Sequence, residues 1–286
     1  MHDILTRRAS ASNDRLVKTS WSTLKSKTLG ASVEVSRFAP AGGAAEVHLM
    51  VQSTGGGPPT EQLAHIEGAY AVALEEMGLE PDTAVLRRWY CSDLVNQASL
   101  LEASPIAKRG GGDTPCAVSW IGQPPVPGSK FALWAYHVND PAGPLVKTVE
   151  GAEMSLDRGE LVHHWTTGLM APHLSSSYQQ TNEIFSHYTE WLKNGDMNLL
   201  DHVIRTWLFV QDIDTNYGGL VVSRRKFFEK HGLTPETHYI SSSGIEGRSE
   251  DYRALVMMDA YTIGGLRSGQ VEFLTALDHL GPTSDY

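Results

Sequence analysis

Alternation of apolar and polar positions sets in near Ser32 as SVEVSRF and returns, after the turn-rich PAGGAA, as EVHLMVQS. A period of two reads as half-buried strand. TGGGPP then breaks the pattern. From Thr60, whose hydroxyl is a good helix N-cap, the period lengthens, and Leu63, Ile66, Tyr70, Leu74 and Met77 form one stripe that Gly78 closes. TAVLRRWYCSD is β-branched and aromatic and reads as a buried strand, LVNQASLLEA as a short helix, and Gly110 to Gly112 as a loop. CAVSWIGQ and SKFALWAYHV are two more strands, separated by PPVPG, whose prolines no central strand accepts.

Residues 139–160 mix proline, glycine and charge around a strand-like LVKTVE, and read as a connector with an opening strand. Beyond them the same order begins again. ELVHHWTTG is a strand and SYQQTNEIFSHYTEWLKNG a helix with Ile184, Tyr188, Trp191 and Leu192 on one face and Gly195 at its end. DHVIRTWLFVQD is a strand, LVVSRRKFFEKHG a helix stopped by Gly232, and THYISSS and YRALVMMDAYTI are the last two strands. Asp93 and Asp212 each close an aromatic-x-x-Asp strand end, at Tyr90 and Phe209. Pro115 and Pro235 each precede the penultimate strand, and Ala135-Tyr136 matches Ala260-Tyr261. Offsets of 119, 120 and 125 keep register with one loop insertion, so two copies of one α+β unit are expected. The expected division is an arm over 1–20, which is polar and without periodicity, a first unit over 21–140 and a second over 141–286.

Charge narrows the function classes. With 23 Lys and Arg against 33 Asp and Glu, the net charge of -10 repels a polyanion, and Arg7-Arg8, Arg87-Arg88 and Arg224-Arg225-Lys226 make no continuous basic face. A nucleic-acid partner is therefore not expected. Nor is a membrane one, because no stretch approaches the ~20 apolar residues that span a bilayer, and the N-terminus offers no signal-like apolar core. A cytoplasmic protein is the expectation. Cys91 and Cys116 have no metal-ligand spacing and read as reduced, buried thiols. His163-His164 are adjacent and point to opposite faces of a strand, while His173, His187 and His202 fall in different elements, so neither a metal nor a cofactor is implied.

Several segments resemble the Rid family, also called YjgF or L-PSP: Ile204-Arg-Thr-Trp-Leu-Phe-Val-Gln-Asp212, the helix end Phe227-Phe-Glu-Lys-His-Gly232, and Pro235 leading into Ser241-Ser-Ser-Gly-Ile-Glu-Gly-Arg248. Glu76-Met-Gly78, Tyr90-Cys-Ser-Asp93 and Pro115-Cys-Ala-Val118 carry it in the first half. The resemblance implies a mixed sheet backed by two helices in each unit, a homotrimer with a cleft between subunits, and a small carboxylated ligand. It further implies a substrate-holding arginine two residues after the proline, yet those positions here are Ala117 and Thr237. A methyl or a hydroxyl supplies no positive charge, which weighs against the standard imine and enamine hydrolase activity. The endoribonuclease label carried by some of the family does not fit the acidic balance. Chorismatases, a longer branch with two Rid-like halves that cleaves the enolpyruvyl ether of chorismate, are similar in the Arg-Thr-Trp strand and the Ser/Thr-Gly-Ile motif.

The second copy holds more candidate chemistry. Asp259 interrupts the apolar strand 254–263, where a lone carboxylate is costly unless paired or able to titrate, and by the resemblance it stands where the family keeps a glutamate acid/base. Trp134 takes that place in the first copy. Glu246, in the IEGR segment, is a second candidate catalytic carboxylate. Ser241 and Ser243 point to one face beside an expected turn at Gly244, where glycines 244 and 247 would let backbone N–H groups approach an anion. Arg205 or Arg248 could clamp a substrate carboxylate. His164, Thr166 and Gly168 occupy the strand end that lines the family's pocket, and Tyr217 is a further ligand contact or a packed ring. Trp89, Trp120, Gln123 and Trp134 read as an apolar wall, which makes the first copy mainly structural. Two functions follow: a hydrolase or lyase acting on a small carboxylated metabolite by acid/base chemistry, or a non-catalytic, small-molecule-binding regulatory trimer.

Overall fold

The helix read from the apolar stripe at Leu63 begins one residue before Thr60. In the computed structural model, which describes residues 6–8, 17–26, 30–125 and 128–274, it runs Pro59–Met77 (α1). Pro58 is its N-cap, so Thr60 lies inside the first turn, and Gly78 ends it in the left-handed conformation at φ 63°. Leu63, Ile66, Ala69, Tyr70, Ala73 and Leu74 are the face it buries. α2 is Leu94–Ala103, α3 Ser177–Asn194, α4 Leu199–His202 and α5 Ile213–Lys230. α5 starts seven residues before the segment that hydrophobic patterning marks, because Ile213–Gly219 is polar or glycine at most positions.

The strands are β1 Thr6–Arg8, β2 Val17–Ser26, β3 Ala31–Pro40, β4 Ala45–Ser53, β5 Ala84–Cys91, β6 Ala117–Ile121 and β7 Phe131–Asn139. β8 Val146–Glu150, β9 Glu153–Arg158, β10 Leu161–Met170, β11 Val203–Val210, β12 Ser241–Glu246 and β13 Val256–Gly264 follow. Two strands thus precede the Ser32 region, and the polar arm expected over 1–20 contains strand. The rest of that arm, 1–5 and 9–16, lies outside the described residues, as do 126–127 of the PPVPG segment.

Two sheets form, of order β1-β2-β3-β4-β7-β5-β6 and β8-β9-β10-β13-β11-β12. From β2 onward the first order repeats the second strand for strand. Pairing senses agree as well: β4 with β7 and β10 with β13 are antiparallel, β5 with β7 and β11 with β13 antiparallel, and β5 with β6 and β11 with β12 parallel. The repeated element order of the sequence is therefore a repeated topology. Two compact units divide at Leu156/Asp157, inside β9.

Each unit buries its own helix-to-sheet core. In the first, α1 packs Ile66, Ala69 and Ala73 with Val33, Leu49, Val51, Trp89 and Leu133. In the second, α3 and α5 place Ile184, Phe185, Leu192, Leu220 and Phe228 with Leu208, Val210, Val256 and Met258. Each of the Val, Leu, Ile, Phe and Met side chains fully removed from water contributes about 1.5–3 kcal/mol. Cys91 and Cys116 are free and buried. No helix among the described residues is long and apolar enough to cross a membrane.

Candidate functional site

Side chains alternate along β11, β12 and β13, and register decides which share a face. Arg205 pairs with Ser241 and with Tyr261, and Trp207 with Ser243 and with Asp259. Trp165 on β10 pairs with Tyr261. These residues occupy the face away from the core of α3 and α5, whereas Leu208, Val210, Met258 and Ala260 face the helices.

On that outer face the Arg205 guanidinium donates to both serines, from Nη1 to Ser241 Oγ and from Nη2 to Ser243 Oγ at 3.1 Å, and lies 5.0 Å from the centroid of the Trp207 ring. The serines hold the fork in place, and the indole supplies a cation–π contact. Asp259 is the diagonal neighbour of Arg205 and is 1% exposed. Its Oδ1 accepts a bond from the Gly168 amide at 2.9 Å. Gly168 can make that bond because β10 bulges between Thr166 and Leu169, with Gly168 at φ 71°, a conformation that glycine adopts without steric cost.

Aromatic rings extend the face. Trp165 stacks on Tyr261 at 4.8 Å and 29°, and His163 stacks on both. His163 Nδ1 and the Tyr261 hydroxyl are 2.7 Å apart. Burial, then the charges of Arg158 and His164, hold the His163 imidazole below its ordinary pKa, which favours the neutral ring beside the Tyr261 hydroxyl. Hydrophobic patterning does not single out Trp207, Trp165, His163 or Tyr261 as site residues. The available signal was the two-residue spacing of Asp259 and Tyr261 on one strand, which places them on one face.

The remaining sequence candidates lie elsewhere. His164 meets Trp191 of α3 edge-on at 5.4 Å, and Thr166, opposite Ala260, is buried on the helix side. Gly244 is not a turn but a strand residue opposite Leu208, and a Cβ there would come within 2.5 Å of the Tyr217 ring. Tyr217 and Gly244 therefore belong to the helix face. Glu246 is exposed and accepts from the Ile213 amide at 2.8 Å, so its carboxylate caps α5. Arg248 is exposed beyond the end of β12. Asp259, Gly168, Arg205, Ser241 and Ser243 come together; His164, Thr166, Tyr217, Gly244, Glu246 and Arg248 do not join them.

Register also revises one correspondence. β5 and β11 each bulge near their start, after Ala84 and after Val203, which aligns Leu86 with Arg205 and Arg88 with Trp207. Ala117 pairs with Leu86 and Ser241 with Arg205. The counterpart of Ala117 is therefore Ser241 and not Thr237, which precedes β12 and donates its hydroxyl to Gly232 O at 2.6 Å. Neither position is arginine, but in the second unit Arg205 reaches the Ser241 position from the neighbouring strand. Trp134 pairs with Arg88 as Asp259 pairs with Trp207, so the Trp134–Asp259 correspondence holds.

In the first unit the expected aromatic wall splits between faces. Trp89 is core, and Trp120 is core with its Nε1 donating to Ala107 O at 2.7 Å, whereas Trp134 lies on the other face under Arg88 and beside His48. Among the described residues no three His, Cys, Asp or Glu side chains are grouped to hold a metal.

No family model and no curated protein matches this sequence. Among solved structures, a chorismatase crystal structure matches with a TM-score of 0.54 at 13% identity, covering 87% of this chain and 80% of that one. The YjgF gene product of E. coli matches at 0.32 and 16% identity over 38% of this chain and 85% of its own. NMB1025, a YjgF-family protein of Neisseria meningitidis, matches at 0.31 and 12% over 38% and 83%. The fold is similar to that of chorismatase across most of the chain.

Proposed function

We propose that the second unit is an acid/base site for a small carboxylated metabolite, with Asp259 as the proton-transferring group and Arg205 as the carboxylate clamp. The observation that carries this reading is the juxtaposition on one sheet face of a buried carboxylate and a guanidinium that serine hydroxyls hold in place. A carboxylate removed from water, one diagonal step from a fixed cation and beside stacked rings, suits a planar or cyclic anionic ligand.

The most specific form of the proposal follows the chorismatase-like fold: hydrolysis of an enolpyruvyl ether. Asp259 passes a proton to the methylene carbon of the enol ether, water adds to the resulting cation and returns a proton to Asp259, and the hemiketal collapses, its hydroxyl proton going to the departing oxygen, to give pyruvate and the free alcohol. Arg205 holds the enolpyruvyl carboxylate throughout. Imine or enamine hydrolysis is the broader alternative within the same acid/base class. A homotrimer located in the cytoplasm belongs to the same reading, and light scattering on the purified chain tests its assembly state.

Incubation with chorismate, followed by a coupled assay for pyruvate, tests the reaction. Release by the natural chain and loss of at least 100-fold in Asp259→Asn, with an unchanged melting temperature, is the expected result. Undiminished turnover in Asp259→Asn removes the acid/base assignment. Chorismate that raises the melting temperature without being consumed points instead to the non-catalytic binding protein.

A further inference from the structure

His163 holds Tyr261 with one ring nitrogen and leaves the other open. Nδ1 lies 2.7 Å from the Tyr261 hydroxyl, and the imidazole is within 14° of parallel to the Tyr261 ring and within 20° of the Trp165 ring. One hydrogen bond and two ring contacts therefore fix its orientation. Nε2 bonds to no other described residue and is not sealed from water. His163, Tyr261 and Arg205 are each half-buried and Ser241 is exposed, so solvent reaches the outer face at both of its ends.

Those ends stand on different strands. Arg205 is on β11 and His163 on β10, and β13, which carries Asp259 and Tyr261, runs between them. Two interstrand spacings of about 4.8 Å each separate β11 from β10, a gap on the scale of one ring with a substituent at either side. The group at the far side must suit an uncharged imidazole, because burial, then the charges of Arg158 and His164, hold His163 below its ordinary pKa. A neutral imidazole has one N–H, and either tautomer satisfies the Tyr261 hydroxyl, so Nε2 is a donor in one and an acceptor in the other. A hydroxyl, which both donates and accepts, matches either state. A carboxylate matches only the first, and an ammonium only the second.

We propose that His163 is a specificity-determining residue of the second unit, taking a ring hydroxyl of the ligand on Nε2 while Arg205 takes its carboxylate, and that Tyr261 positions the imidazole. This rests on the reading of Arg205 as the carboxylate clamp and needs nothing from the acid/base step. It narrows the ligand class to cyclic acids that carry a hydroxyl on the side of the ring away from the carboxylate. The first unit lacks both ends of the grip. Register sets Tyr136 in the place of Tyr261, and with it Glu46 in the place of His163 and Leu86 in the place of Arg205.

Calorimetric titration of the full chain with benzoate, 3-hydroxybenzoate and 4-hydroxybenzoate tests this without any turnover. At least one hydroxy acid should bind about tenfold tighter than benzoate, the worth of one good hydrogen bond. His163→Phe, which keeps a ring in the stack, should bring that acid down to the level of benzoate. Tyr261→Phe should lower the preference, and combining it with His163→Phe should lower it no further, since a positioning residue acts only through its partner. Equal affinities for the three acids in the natural chain, or a preference that survives His163→Phe, overturn the proposal. Tighter binding of benzene-1,4-dicarboxylate than of either hydroxy acid does so too. If none of the acids binds, the clamp reading falls and the proposal with it; if they bind without preference, the clamp stands and the proposal alone falls. Should a variant fail to fold, a crystal structure of the natural chain with the hydroxy acid decides the matter, by contact or no contact between its hydroxyl and Nε2.

Discussion

The Gly168 amide donates to Oδ1 of Asp259 across two neighbouring strands, and it does so from the bulge that interrupts β10. The carboxylate is thereby oriented by a donor that is fixed in the backbone. Nothing lies within 4 Å of a Cβ added at Gly168, so the demand at this position is on φ and not on space. Gly168→Ala should fold, lose about 1–2 kcal/mol from the left-handed conformation, and misplace the amide. Urea denaturation measures the first effect. A fall in kcat larger than the change in KM measures the second, and an unaltered kcat would mean that the carboxylate needs no such support.

Arg205 makes two side-chain bonds from its fork, and a lysine in its place presents a single ammonium. Arg205→Lys should keep the fold, because the guanidinium is only half-buried, and should raise KM for a carboxylated substrate about tenfold or more. Steady-state kinetics with the acid and with its methyl ester check this: the ester should bind poorly to both proteins. Equal KM for acid and ester in the natural chain would remove Arg205 as the clamp.

How far the sequence carried the fold is clearest at Asp259. Its correspondence with Trp134 was legible from chain order alone and is reproduced by strand register, because the offset is constant within one strand. The serine equivalent to Ala117 was not legible. The bulges near Ala84 and Val203 are paired and leave the offset between copies unchanged, so its position depends on the longer stretch before β12, which leaves no mark on hydrophobic periodicity. The same blindness applies across the sheet. Tyr217, Gly244 and Thr166 lie within a few residues of the outer-face group along the chain or across a strand pair, yet they point into the helix layer, since alternation separates neighbours that sequence proximity groups. Arg87 stands in a strand whose pattern reads as buried, and a cation in such a strand is the signal of a buried charge.

His137 sets a pH dependence with a definite sign. Its folded pKa lies near 3 against an ordinary 6.5, so between those values the unfolded chain binds the extra proton and the folded one does not. Stability from this group is fully present above 6.5 and declines as pH falls toward 3, by up to about 1.4 kcal/mol per pH unit. The contribution of this one group is isolated by difference. His137→Gln, whose amide can both donate to Thr83 and accept from Tyr70, should show a shallower loss of stability in urea titrations between pH 7 and pH 4. Parallel curves for the two proteins would place the acid sensitivity elsewhere.

Gly219 marks the closest approach of α3 and α5. A Cβ there would collide with Ser177 Oγ and come within 2.9 Å of the Tyr178 backbone nitrogen. The serine hydroxyl can rotate away, but the Tyr178 nitrogen belongs to the first turn of α3, which Ser176 caps by accepting from Gln179 N at 3.3 Å. Separating the helices would loosen the ring contacts between Phe185 and both Phe227 and Phe228 farther along the pair. Alanine elsewhere in an exposed helix gains about 1 kcal/mol over glycine; here the overpacking cost of about 1–3 kcal/mol opposes that gain. Gly219→Ala should therefore be destabilising, whereas Gly218→Ala, with nothing within 4 Å of its added Cβ, should be neutral or stabilising. The pair is compared by chemical denaturation, with the same ordering expected in the melting temperatures, and equal stabilities would mean that Gly219 is not needed for the close approach of α3 and α5.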